Sequence, residues 1–387
     1  MDYPRRLTQV REAMGERGID LLFLPRAANL FWLTGVRREP VQGTDHNAYG
    51  DWVAGGYIGL DGPVPLVAPR MGGAFYVEEA AGKPWFEGVR LVLEPEDPLD
   101  VMRETLAGFG LANGGCSVRI AVDERTWAQT TLAMQGLIPG VVLSSASELL
   151  GPLRMIKDDD EIAAMRRASE VADRVFEVAL AALGPGVTEQ EAAHEIDRAF
   201  LLFGAEYTSF PTGVYFAGEG PLDAAGTLRE GRRALQPGDS VMFDFGGVVD
   251  GYCSDFGRSA FLGEPSADYL GVHETVRLAQ TEAMKAMVAG RCTTAEANAI
   301  ARRVIADAGY DAGFTHRLGH GIGVTVHEPP FLDGVEQTVL QDQMTFTVEP
   351  SIILPGRFGN RVEDVVLITP EGGVPLGNVD RGLYVVG

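Results

Sequence analysis

The sequence predicts a two-domain α/β (α+β) chain, and three observations carry that reading. Composition shifts along the chain: all four tryptophans, Trp32, Trp52, Trp85 and Trp127, lie in the first third, whereas three of the six histidines fall between His316 and His327. A charged segment, Arg154 to Asp160, stands ahead of a long helical pattern and marks the boundary. Beyond it the chain repeats its own landmarks at an offset of 105 residues. With 387 residues, 45% hydrophobic and 22% charged, the chain has the apolar content of a globular protein, not of a mainly disordered or fibrous one. That length suits about two domains.

The first domain, residues 1–155, reads as alternating helix and strand. A helix over Leu7 to Arg17 leads into an apolar strand at Ile19 to Leu24, and further strands are expected near Leu30 to Leu33, Val64 to Val67 and Val118 to Val122. The second domain, residues 156–387, opens on a helix whose face carries Ile162, Met165, Ala168, Ala172, Val175, Phe176 and Ala179. The acidic run Asp158 to Asp160 suits its N-terminus, where partial positive charge from unpaired N–H groups gathers.

The repeat organises the rest of this domain. Thr188-x-x-Glu191 and Thr293-x-x-Glu296 are both capping boxes, 105 residues apart, and Gly204 and Gly309 close the two helices at the same offset. Leu235-Gln236 and Leu340-Gln341 keep that offset, as do Asp244 and Glu349, each ending a strand-like run. An offset this long exceeds the roughly 20 to 50 residues of solenoid repeats. Two similar halves related by a pseudo-twofold are therefore expected, with Asp244 and Glu349 as equivalent points.

Charge narrows the function. Lys and Arg total 32 against 54 Asp and Glu, a formal charge of −22, which repels nucleic acid. The opening residues lack an apolar signal segment and no run approaches the roughly 20 apolar residues of a membrane span, so a cytoplasmic protein without a membrane partner is expected. Cys116, Cys253 and Cys292 have no metal or disulfide spacing and read as small core residues.

The chemistry gathers in the second domain. Asp250-Gly251, between two apolar runs, is a hairpin signal that pairs Val249 with Tyr252 and, counting outward, Gly246 with Asp255. Asp244 then shares a face with Asp255, diagonal across the strands at roughly 7 to 8 Å, with a glycine between them leaving room for an ion. Two edge aspartates in water are the plain alternative, weakened by the apolar run that carries Asp244 inward. In the other half Thr345 to Pro350 and Arg361 to Leu367 match these strands, placing Glu349 and Glu363 toward the same cavity. Four converging carboxylates repel one another unless two divalent ions neutralise them, and an oxygen-rich site favours harder ions such as manganese. His320, between Gly319 and Gly321, offers an imidazole nitrogen at close quarters, and His327, seven residues on, suits a proton donor.

The motifs Asp244-x10-Asp255, Gly319-His320-Gly321-Ile322-Gly323 with His327-Glu328-Pro329-Pro330, Thr347-Val348-Glu349-Pro350 and Arg361-Val362-Glu363-Asp364-Val365 resemble those of the pita-bread metallopeptidases, the group of methionine aminopeptidase, aminopeptidase P, prolidase and creatinase. Gly18 to Gly35 is similar to the creatinase and prolidase N-terminal domain, and Leu153 to Lys157 to its linker. The resemblance implies that Asp244, Asp255, His320, Glu349 and Glu363 bind two metal ions, manganese ahead of cobalt, zinc or iron, with Asp255 and Glu363 bridging. It implies that Glu349 guides a proton, that His327 contacts the substrate carbonyl, that His316 and Arg361 support the pocket, and that the chain is a homodimer whose N-terminal domain contributes the loop Arg37 to Trp52. The activity implied is cleavage next to proline, by a Xaa-Pro aminopeptidase or dipeptidase acting on peptides. One departure favours an alternative. Family peptidases carry a histidine about a dozen residues before the Gly-Asp pair matched here by Gly238-Asp239, and the corresponding Thr227 region has none. A pita-bread enzyme acting on a small non-peptide amide, by C–N hydrolysis or lyase chemistry, is the second reading, and a non-catalytic peptide-binding module the third.

Overall fold

The computed structural model describes residues 1–38, 49–111, 117–218, 231 and 233–387, in two units, Met1–Arg154 and Met155–Gly387. The first is built on a six-stranded sheet ordered β4-β3-β2-β1-β5-β6. Its strands are β1 (Leu21–Leu24), β2 (Gly55–Gly59), β3 (Val64–Pro69), β4 (Phe86–Val92), β5 (Arg119–Val122) and β6 (Val142–Ser145). Helices α1 (Tyr3–Arg17), α2 (Ala28–Thr34), α3 (Arg70–Ala80), α4 (Pro98–Gly108), α5 (Ala128–Leu137) and α6 (Ser147–Met155) alternate with them. β1 is parallel to β5 and antiparallel to β2, so all four of its side chains are buried, which is why Leu21 to Leu24 reads as an unbroken apolar run.

One expectation fails here. Leu30 to Leu33 is not a strand but lies within α2, which ends at Gly35 in the left-handed conformation, φ 71°. Four apolar residues carry no periodicity that separates strand from helix. The deciding features are that glycine stop and Asn29, whose Nδ2 donates to buried Asp123 at 2.6 Å.

The second unit holds two helix pairs and, among the described residues, four sheets that are mainly antiparallel. α7 (Asp159–Ala181) and α8 (Glu189–Leu202) cover strands β8 (Gly213–Ala217), β9 (Ser240–Asp244) and β12 (Ser259–Leu262), with short β7 (Tyr207–Thr208), β10 (Gly247–Val249) and β11 (Tyr252–Cys253) beside them. Asp158 caps α7 in a box with Glu161, as the acidic run suggested. α9 (Ala267–Ala286) and α10 (Thr294–Asp307) cover the sheet of β13 (Gly319–Gly321), β14 (Glu328–Leu332), β15 (Thr345–Val348), β18 (Asp364–Thr369) and β19 (Gly372–Pro375). β16 (Ser351–Leu354) pairs with β17 (Phe358–Arg361), and β20 (Tyr384–Val386) lies parallel to β12.

The internal repeat is visible in this architecture. Both capping boxes form, Thr188 with Glu191 and Thr293 with Glu296. Gly204 and Gly309 follow their helices at φ 100° and 85°. The cap residues also make equivalent bridges, Thr188 to Ala234 and Thr293 to Val339, at the same offset. Among the described residues no helix is long and apolar enough to cross a membrane.

Candidate metal centre

The first hairpin turns at Asp250 and Gly251, both at positive φ, 49° and 77°. That is the backbone a two-residue turn needs to follow the strands' right-handed twist. Val249 pairs with Tyr252, Phe245 with Phe256 and Met242 with Ser259, all in one register, which sets Gly246 opposite Asp255 and Asp244 opposite Gly257. In the second hairpin Val348 pairs with Asp364 and Ser351 with Arg361, so Glu349 and Glu363 face each other directly rather than diagonally. A bridge from Gly257 to Glu363 joins the two hairpins back to back.

This junction brings the sequence-derived residues together. Carboxylate oxygens of Asp244, Asp255 and Glu363 lie within 4.8 Å of one another. His320 Nε2 is 3.5 Å from Asp255 Oδ2 and 3.4 Å from Glu349 Oε1. Its other nitrogen, Nδ1, faces the Gly321 carbonyl at 3.1 Å. Donating there leaves Nε2 a lone pair aimed at the carboxylates, the tautomer a metal ligand needs. Arg361 Nη1 donates to Asp244 Oδ2 at 2.5 Å and lies 3.5 Å from Glu349 and 3.7 Å from Glu363. It supplies one counter-charge that counting carboxylates in the sequence leaves out.

The glycines owe their places to close approach, though not all as expected. A Cβ at Gly319 would sit 2.0 Å from the Thr347 carbonyl and one at Gly321 2.6 Å from that of Glu328, so His320 is framed by tight backbone contacts. Gly246 leaves no hole for an ion, because its Cβ would meet the Ser254 carbonyl at 2.0 Å. Within the cluster, Gly257 keeps space beside a carboxylate, since a Cβ there would come within 2.8 Å of Glu363 Oε2.

Burial and like charge set the electrostatics of the cluster. Burial raises the Asp255 carboxyl well above its usual range, reinforced by Asp244 and Glu349. Burial does the same to Glu363, with Asp255 and Glu349 adding to it. Glu349 is pushed up to about 7, by burial first and then by Asp244, against the pull of Arg361. Burial opposes the charge on Arg361, but the surrounding carboxylates outweigh it and raise the guanidinium. His320 falls to about 3 through burial and the adjacent His327, and so stays neutral. Asp255 Oδ1 and Glu363 Oε2 are buried with no hydrogen-bond partner among the described residues. Buried carboxylate oxygens without donors are costly to ionise. Oxygen donors of this kind, with one neutral imidazole, fit hard divalent cations and not thiolate-seeking ones.

The remaining expected residues lie around this core. His327 is exposed, its ring against His320 at 4.2 Å between centroids. His316 faces the Arg317 carbonyl through Nδ1 at 2.7 Å, and its buried Nε2 has no hydrogen-bond partner among the described residues. Burial and Arg361 lower its pKa to about 4. Thr227 and most of the Arg37 to Trp52 loop, residues 39–48, lie outside the described residues. Thr347, not singled out in the sequence, joins the site: its hydroxyl accepts from His320 N at 3.1 Å and lies 3.3 Å from Glu349 Oε1. Period-two alternation would have found it, two residues before Glu349 on the same strand face.

The model of metallopeptidase family M24 matches residues 163–370. The chain belongs to metallopeptidase family M24. Residues 6–156 of this M24 metallopeptidase match the creatinase/prolidase N-terminal domain. It is 32% identical to the probable dipeptidase PepE of Mycobacterium tuberculosis, over 99% of this chain and 96% of that protein. Among solved structures it is similar to prolidase from Thermococcus sibiricus, with 31% identity, TM-score 0.87 and full coverage of both chains. Xaa-Pro dipeptidase from Bacillus anthracis, at 27% identity and TM-score 0.82, also matches over the full length of both chains. The two-domain α/β fold of the pita-bread peptidases and the assignment as a metallopeptidase therefore stand.

Proposed function

We propose that this M24 enzyme is a dinuclear metal-dependent hydrolase that cleaves the amide bond next to proline, as a Xaa-Pro dipeptidase or aminopeptidase. The observation that carries the reading is the convergence of Asp244, Asp255, His320, Glu349 and Glu363 at the junction of the two hairpins, with buried carboxylate oxygens left unpaired among the described residues. The names of the prolidase and dipeptidase relatives support the substrate class. Asp244, Asp255, His320, Glu349 and Glu363 would hold two divalent ions, manganese by preference. When bound, such ions would lower the pKa of water and polarise the scissile carbonyl.

The chain's own groups do the rest. Glu349, whose carboxylate faces His320 at 3.4 Å, would take a proton at a carboxylate oxygen and return it to the leaving amine. His327, exposed beside His320, can donate to the carbonyl oxygen as negative charge builds there. Arg361 and His316 back the pocket, Arg361 by holding Asp244 and Ser351 Oγ, which accepts from its Nε at 3.0 Å. The chain is further read as a cytoplasmic homodimer; light scattering at micromolar concentration returning a monomer would remove the dimer.

The absence of histidine from Phe216 to Thr227 keeps a second reading in view, a small non-peptide amide as substrate. A manganese-loaded enzyme assayed on a panel of Xaa-Pro dipeptides and small amides separates the two. Turnover of Xaa-Pro dipeptides supports the peptidase; turnover of only a non-peptide amide replaces it.

A further inference from the structure

Arg258 is fully buried, and every N–H of its guanidinium is used. Nη1 donates to the carbonyls of Gly257 at 2.8 Å and Glu363 at 2.6 Å. Nη2 donates to Asp364 Oδ1 at 2.8 Å and the Val379 carbonyl at 2.9 Å, and Nε to the Asp380 carbonyl at 3.0 Å. The ring of Phe256 lies 4.7 Å from the guanidinium carbon. Asp364 also accepts from Gln280 Nε2 at 3.0 Å and Arg381 Nε at 2.7 Å, so the guanidinium is seated in a fixed network.

Arg258 adds to the bridge between the hairpins by donating to both of its carbonyls. Glu363 N donates to the Gly257 carbonyl at 2.8 Å, but the return bond, Gly257 N to the Glu363 carbonyl, is stretched to 3.4 Å. The charge-assisted 2.6 Å bond from Arg258 is therefore the tighter restraint on the Glu363 backbone. Glu363 has its side chain in the carboxylate cluster, and Asp255 lies two residues before Gly257 on the opposing strand. One guanidinium thus fixes where the two hairpins meet, and with them the spacing of Asp255 and Glu363.

We propose that Arg258 is a positioning residue of the metal centre, setting metal affinity through the Gly257–Glu363 junction without touching the ions. The inference rests on the metal-centre reading above. A purely structural role would lower stability and leave metal affinity unchanged. Lysine keeps the charge but offers three donors on a flexible stem in place of a planar fork.

The test is calorimetric titration of the metal-stripped full chain with manganese, comparing the native protein with Arg258→Lys, alongside circular dichroism to verify folding. Loss of an outer-shell support typically weakens metal binding about 10- to 100-fold, and a loss in that range is expected. Should Arg258→Lys fail to fold, Asp364→Asn, which weakens the hold on Nη2 while keeping its shape, carries the decision with an expected loss of at least severalfold. A folded variant that binds manganese within twofold of the native protein overturns the inference alone. A native protein that takes up no manganese overturns the metal-centre reading and this inference with it.

Discussion

Lys157 and Glu328 form an ion pair at 3.3 Å with each side chain 3% exposed, and removing one partner should be far more damaging than removing both. At an effective dielectric of about 20 the gross attraction at this distance is about 5 kcal/mol. Most of that offsets the cost of taking both charges out of water. Lys157→Met would leave the Glu328 carboxylate buried without this cation, a loss typically of about 3 to 5 kcal/mol. Glu328 Oε1 would keep two donors, Thr325 N at 3.0 Å and Thr325 Oγ1 at 3.2 Å, so about 3 kcal/mol is the better expectation. In Lys157→Met with Glu328→Gln no charge is stranded, and most of the loss should return. Urea denaturation followed by far-ultraviolet circular dichroism measures both. Tryptophan fluorescence serves as an internal control, since all four tryptophans lie between residues 32 and 127, in the N-terminal unit. A single variant within about 1 kcal/mol of the native protein, or a double variant as unstable as the single one, would show that the pair is not what holds these two side chains inside.

The site and the repeat carry further expectations. In metal-stripped protein, Glu349 has a folded pKa of about 7 against an ordinary 4.5, so it binds a proton in the folded state that it has lost in the unfolded one. Stability contributed by that proton is present below about pH 4.5 and is lost as pH rises toward 7; a melting temperature that climbs over this window without metal contradicts the assignment. Saturating manganese should reverse that trend, and Asp255→Asn should remove at least one ion from the stoichiometry measured by elemental analysis. His327→Ala should lower turnover of Xaa-Pro dipeptides by about 10²- to 10³-fold, the usual effect of losing one donor to a developing oxyanion, with circular dichroism checking that the fold is kept. Thr293→Ala should destabilise the C-terminal unit by about 1 kcal/mol through loss of the α10 capping box, as read by thermal denaturation.

The parts of the molecule legible in the sequence are those fixed by short-range rules. The Asp250-Gly251 turn allows one register, and that register alone sets Gly246 opposite Asp255 some residues away. Capping boxes at Thr188 and Thr293 are likewise local, so both helix starts and the repeat they mark are readable. Leu30 to Leu33 is not, because four apolar residues fit either a strand or a helix until Gly35 and the Asn29–Asp123 contact decide. Gly246 misleads for a different reason: spacing shows where a glycine is, but not that the Ser254 carbonyl fills the space beside it. Arg258 leaves no local signal at all, since its partners Glu363, Val379 and Asp380 lie more than a hundred residues along the chain.

Anomalous X-ray scattering at the manganese edge, from crystals of the full chain grown with manganese, decides whether the carboxylate cluster is a dinuclear metal centre. Two peaks are expected at the junction of the hairpins, both within coordination distance of Asp255 and Glu363, with Asp244 on one side and His320 and Glu349 on the other. Diffraction that shows no anomalous density among these five residues, at manganese concentrations sufficient for turnover, would contradict the assignment.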